Sequence, residues 1–141
     1  MAYEHGVGLD IGTLTAAGDY SSATNQYRVV RQNTGTQFTR GSSAAGTRVT
    51  GILQDTPSSG EHGLIRVLGI SKFRVLSTAL TAMTVGAKLG GSTNGGLIRS
   101  TAVGRYTLGR TMTSFSSAST GVYTMLITHE GGGSSGAGQT P

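Results

Sequence analysis

Leu64-Ile65-Arg66-Val67-Leu68-Gly69-Ile70-Ser71-Lys72-Phe73-Arg74-Val75-Leu76 is the stretch whose reading decides the fold class of this chain. Its apolar character is near-continuous, and it is rich in β-branched residues, so it predicts a strand covered on both faces. The sequence on either side reads the same way in shorter pieces. Upstream, Tyr27-Arg28-Val29-Val30-Arg31-Gln32 predicts a strand closed by the turn set Asn33-Thr34-Gly35, and Gln37-Phe38-Thr39-Arg40 predicts the next. After the loop Gly41 to Gly46 comes Thr47-Arg48-Val49-Thr50-Gly51-Ile52-Leu53, then the loop Asp55-Thr56-Pro57-Ser58-Ser59-Gly60, where Pro sets φ and Gly permits positive φ.

Downstream, the segment from Thr78 to Leu89 is ambiguous. Leu80, Met83 and Leu89 sit at helical spacing, but the threonines and Gly86 limit any helix to a turn or two. Gly90 to Gly96 reads as a loop. Leu97 to Thr101, Tyr106 to Met112 and Val122 to Thr128 complete the strands. Many short strands at this spacing predict an all-β fold, a small β-barrel or β-tulip or a sandwich. There is also an internal echo. Gly51-Ile52-Leu53, a loop and a strand from Gly63 match Gly109-Arg110-Thr111-Met112, a loop and a strand from Gly121, as one hairpin unit used twice.

Composition agrees with a β fold. Glycine makes up 24 of the 141 residues, charged residues are only 12%, and there is no cysteine and no tryptophan. Low charge with scattered Val and Ile argues against disorder, and the missing cysteine removes disulfides, thiolate metal sites and cysteine nucleophiles. No apolar run approaches a membrane span, and Met1 to Gly6 lacks the features of a secretion leader, so synthesis and assembly in a cytoplasm are expected.

Charge divides the chain. Before Tyr27 stand Glu4, Asp10 and Asp19 with no Lys or Arg. All eleven basic residues lie from there to Arg110, against Asp55 and Glu61, a local balance of +9. Residues 1–25 therefore read as an extended acidic arm, 26–130 as the β body and 131–141 as a Gly/Ser-rich tail, flexible until something holds it. An arm of that length spans about 70–80 Å when extended, against a radius of gyration of about 14 Å for the body. It can cross a neighbouring subunit and add a strand there. The candidate interface residues are Tyr3, Glu4, His5, Leu9, Asp10, Ile11 and Asp19 of the arm, with Arg28, Arg31 and Arg40 of the first two body strands. Removing residues 1–22 is expected to leave a folded body.

No catalytic constellation is legible. Gly6 to Thr13 resembles a phosphate loop only loosely, and the strand and helix that such a loop requires are missing. His5, His62 and His129 fall at no metal-ligand spacing, the carboxylates are dispersed, and no serine sits in a strand-to-helix elbow. No enzyme activity, cofactor or metal is expected. The basic residues are spread singly, without the aromatic interleaving of single-strand binders, which favours an acidic protein surface over nucleic acid as partner. A carbohydrate-binding barrel is weakened by the scarcity of aromatics.

From Thr47 onward the order of features resembles the small head-decoration, or cement, proteins of tailed bacteriophages. The matching parts are Gly51-Ile52-Leu53-Gln54-Asp55-Thr56-Pro57-Ser58-Ser59-Gly60-Glu61, the strand ending Val67 to Lys72, and Leu80 to Leu89. The Gly-Gly turn before Leu97-Ile98-Arg99, then Leu108-Gly109-Arg110 and the closing strand Val122 to Thr128 follow in the same order. The resemblance implies a body seated on the outside of an icosahedral phage head, a homotrimer that clamps adjacent major capsid subunits against packaged DNA. Its partners would be the major capsid protein and itself, with no membrane and no direct nucleic acid contact. A tail or head–tail β domain is the alternative.

Overall fold

The structure, a computed structural model, describes residues 8–41, 48–75, 82–91, 95–99, 106–115 and 120–130. Among the described residues it is all-β apart from 3-10 structure at Ala23–Asn25 and at Gly95. The strands are β1 (Gly8–Ile11), β2 (Thr15–Ala16), β3 (Val29–Gln32), β4 (Gln37–Arg40), β5 (Gly51–Leu53), β6 (Ile65–Val75), β7 (Lys88–Gly91), β8 (Leu97–Arg99), β9 (Thr107–Thr111) and β10 (Gly121–Glu130). They form one sheet in the order β2-β4-β3-β5-β6-β10-β9-β7-β8, with β1 added on β6. The expected all-β class is found; that path ends at β2 and β8, which do not pair, so of the expected forms a closed barrel is replaced by an open, curled sheet. Curling is evident because Leu97 at one end packs in the same core as Val29 near the other, and Gly95 N donates to Gly41 O at 3.3 Å.

Two cores lie on opposite faces of β3 and β5. Val29 and Ile52, directly paired across those strands, belong to the larger core with Phe73, Val75, Leu89, Leu108 and Met125. Their sequence neighbours Val30 and Leu53 point the other way, into a second core with Leu14, Ala16, Tyr20, Phe38 and Ile65. Alternation along a strand sends adjacent side chains to opposite faces, so the pairs Val29-Val30 and Ile52-Leu53 require cover on both sides. The doubly covered strands are thus β3 and β5.

β6 departs from its expected two-sided burial. Ser71, Phe73 and Val75 are buried, whereas Leu68 stays 45% exposed and Lys72 and Arg74 are half-buried. Its inward residues serve both cores in turn, Ile65 the second and Phe73 the first. Gly69, with φ +92°, stands between them, and both β1 and β10 pair with β6 at this residue. Only glycine takes that backbone conformation without strain, so the strand bends there and passes from one core to the other.

The acidic arm is also corrected over the described residues 8–25. β1 pairs antiparallel with β6 and β2 runs parallel to β4, both within the chain. Leu14, Ala16 and Tyr20 are buried, and Tyr20 stacks on Phe38 with ring centroids 5.6 Å apart. Backbone bonds fasten the segment: Ala16 N to Glu61 O, Ala17 N to Phe38 O and Tyr20 N to Pro57 O, at 2.8–2.9 Å. These apolar residues are too few for a core of their own, but they complete one whose other wall is β3–β5. Deleting residues 1–22 is therefore expected to uncover that wall and destabilise the body, contrary to the reading from sequence. A circular-dichroism melt of the truncated chain checks this.

The repeated hairpin is present. β5 and β6 pair antiparallel, β9 and β10 do likewise, and β6 pairs antiparallel with β10, which sets the two units back to back. Within the ambiguous stretch, Met83 bridges to Phe115 and β7 begins at Lys88, with no helix over the described part. Residues 76–81 of that region, the strand end at Ser100 and Thr101, most of the loop 41–46 and the tail 131–141 lie outside the described residues.

Candidate interaction surface

The ten candidate interface residues do not gather at one place. Tyr3, Glu4 and His5 lie outside the described residues. Leu9 is 55% exposed on β1, directly opposite Leu68, while Ile11 turns inward to the second core. Asp10 is engaged within the chain: Arg66 Nε donates to Oδ1 at 2.7 Å and Nη2 to Oδ2 at 2.9 Å. Asp19 is exposed and accepts from Ser21 N at 2.9 Å, a bond that lowers its pKa. Arg31 sits on β3 opposite Thr39, half-buried, with its Nε buried and unpartnered.

Arg28 and Arg40 do converge, and Arg74 joins them. The three guanidiniums surround the Ala23–Asn25 turn. Arg28 Nε donates to Thr24 O at 2.9 Å, Arg40 Nη2 to Asn25 Oδ1 at 2.9 Å, and Arg74 Nε to Gln26 O at 3.2 Å and Nη2 to Ala23 O at 3.4 Å. The carbonyls of Ala23, Thr24 and Gln26 thus face the cations, Ala23 O accepting from Gln26 N at 3.3 Å as well. Burial, and then the like charges of Arg40 and Arg74, hold Arg28 below the ordinary arginine pKa. Lys72, two residues before Arg74 on the same face of β6, places its ammonium 5.5 Å from the centre of the Tyr27 ring.

Tyr27 links these parts. Its φ is +65°, a conformation that costs a non-glycine residue about 1–3 kcal/mol. The bonds Tyr27 N to Leu53 O at 2.8 Å and Arg74 N to Tyr27 O at 2.9 Å hold it there. The reading from sequence missed Lys72, Arg74 and Tyr27. The available signal was the spacing of Lys72 and Arg74, which puts both on one face of a strand.

On β7, β9 and β10, charge is paired off. Glu130 accepts from Arg110 Nε at 2.7 Å and Nη2 at 3.1 Å, with Lys88 Nζ at 3.6 Å. The Arg110 hydrogen bonds outweigh the opposing cost of burial and hold the Glu130 carboxyl below its ordinary 4.5. A carboxyl with a depressed folded pKa contributes its full stabilisation above the unfolded value and loses it as pH falls through the folded one. Glu130→Gln should therefore lower the neutral plateau slightly and flatten the decline in stability below about pH 4.5, so that variant and parent converge in acid, read as Tm against pH. At the same end, Tyr106 Oη lies 2.6 Å from His129 Nδ1, and His129 Nε2 lies 2.6 Å from Val67 O, tying β10 to β6.

A strip of apolar side chains crosses the outer face of β1, β6 and β10. Leu9 opposes Leu68 and Leu126 opposes Ile70, with Leu126 41% exposed. Among the described residues no group of His, Asp and Glu is placed to hold a metal ion, and no helix is long and apolar enough to cross a membrane.

No protein-family model and no curated protein matches the chain. Among solved structures, its fold is similar to the head fiber gp8.5 N base in bacteriophage phi29. The likeness covers 89% of this chain and 98% of that one, with a TM-score of 0.59 and 12% sequence identity.

Proposed function

We propose that this chain is a non-enzymatic structural protein of a tailed-phage head, binding the outside of the shell as a decoration protein and clamping adjacent major capsid subunits as a homotrimer. The observation that carries the reading is the fold shared with a phage head fiber base over nearly the whole of that chain. Two features of the surface support it. The cations around the Ala23–Asn25 turn offer charge to an acidic partner, and the strip of Leu9, Leu68 and Leu126 offers apolar area. Shell binding through many equivalent copies needs only modest contacts from each, because attachment at one point raises the effective concentration at the next.

The test is attachment to heads that lack the protein. The purified chain should cosediment with them, image as density on the outer surface at three-fold positions, and elute as a trimer on light scattering. A chain that leaves the heads bare overturns the reading. The neighbour's own description favours one second reading, the base of a fiber projecting from the head. The images separate the two: a low cap spanning capsid subunits belongs to a decoration protein, a projection rising from a single site to a fiber base.

A further inference from the structure

Three guanidiniums meet at one place on this fold. Arg28, Arg40 and Arg74 ring the Ala23–Asn25 turn, and Lys72 stands beside Arg74 on β6. Crowding like charges costs free energy, and the carbonyls of the turn offset part of it. Among the described residues, Asp10 and Glu130 pair with Arg66 and Arg110. Asp19, Asp55 and Glu61 accept from the backbone N–H groups of Ser21, Leu64 and Ser58.

We propose that this basic face is a docking surface for a carboxylate-rich protein segment; on the function proposed above, it is the face turned towards the shell. A guanidinium carries five N–H donors in a planar fork that matches a carboxylate. Arg74 spends donors on two carbonyls and Arg40 on one amide oxygen, a fraction of the five N–H groups that each guanidinium carries. Charge complementarity therefore selects an anion, and the aromatic rings select which kind. A nucleic acid strand needs open rings on which bases stack and a row of cations along its backbone. Here Tyr27 has Lys72 over one face and its body against the first core. Tyr20 is stacked on Phe38, with the Arg40 guanidinium 5.4 Å from its ring centre. Neither ring offers a face to a base, and the cations converge on one turn rather than forming a row.

The experiment titrates the full chain against two labelled probes, a poly-glutamate peptide and an oligo-thymidine of equal charge, by fluorescence anisotropy at low salt. Arg74→Glu and Lys88→Glu change the net charge equally, but Lys88 lies on β7, three positions from β6 in the sheet order. Poly-glutamate should bind the unaltered chain more tightly than oligo-thymidine. Arg74→Glu should weaken it about tenfold and Lys88→Glu by less than about twofold, since a local charge contact depends on position. Arg28→Glu, with a thermal melt of each variant, serves as the second probe should Arg74→Glu unfold. Equal losses from the Arg74 and Lys88 variants, or preference for oligo-thymidine, overturn the proposal. Attachment to heads separates it from the function on which it rests. Undiminished attachment of folded Arg74→Glu overturns the face as the shell contact. Failure of the unaltered chain to attach, with poly-glutamate binding intact, overturns the function and upholds the acidic partner.

Discussion

Asp10→Ala should destabilise the fold by about 3–5 kcal/mol, which for a chain of this size lowers Tm by about 10–20 °C. The reason is what it leaves behind. Arg66 is 3% exposed, and its guanidinium has two carboxylate contacts with Asp10 and one bond from Nη1 to Ile70 O at 2.9 Å. The side-chain hydrogen bond with Asp10 is the main cause holding the Arg66 pKa above its ordinary value, against an opposing push from burial. An arginine does not shed its charge when its partner is removed, so the variant must bury an uncompensated cation or let water in by peeling β1 from β6. Replacing both members, Asp10→Leu with Arg66→Met, should cost far less than Asp10→Ala alone, because the stranded charge is then gone. Urea unfolding of the single and double variants measures the difference. A single variant within about 1 kcal/mol of the parent means that the pair behaves as an exposed one and that β1 holds by other contacts.

Gly109→Ala should cost about 3 kcal/mol, at the upper end of overpacking. A Cβ at this position would fall inside contact distance of the Leu126 carbonyl oxygen and 2.9 Å from Ile127 Cα. Both are backbone atoms of β10, which is held by β9 on one side and β6 on the other, so neither can yield locally. Gly51 stands in the corresponding place in the other hairpin, where a Cβ would meet the Arg66 carbonyl oxygen. Gly51→Ala should therefore behave alike. Gly12, with nothing within 4 Å of its Cβ position, is the control and should change stability by less than about 0.5 kcal/mol. Thermal melts of the three variants decide the matter, and a Gly109→Ala variant as stable as Gly12→Ala would falsify the close approach.

These two glycines also show how far local sequence reaches. The repeat of glycine, strand, loop, glycine and strand was legible from residues alone, because hairpins are built from neighbours in the chain. The need for each glycine was not, since what blocks its Cβ is a carbonyl on the partner strand. The candidate surface divides in the same way. Arg28 and Arg40 were legible as basic residues on strands, but Arg74 meets them only because its backbone N–H bonds Tyr27 O across the fold.

By itself, the sequence determined the all-β class and the strands of the body other than β7 (Lys88–Gly91), which reads as ambiguous stretch and loop, because these follow from short-range periodicity and residue chemistry. It also carried, in Val29-Val30 and Ile52-Leu53, the mark of strands with two buried faces. Tertiary structure alone decided what covers the second face. Leu14, Ala16 and Tyr20 fill it, so residues read as a reaching acidic arm become a wall of their own body. The physical reason is that burial rewards any apolar segment able to reach an uncovered face, and which face stands within reach is settled by the packing of strands distant in sequence.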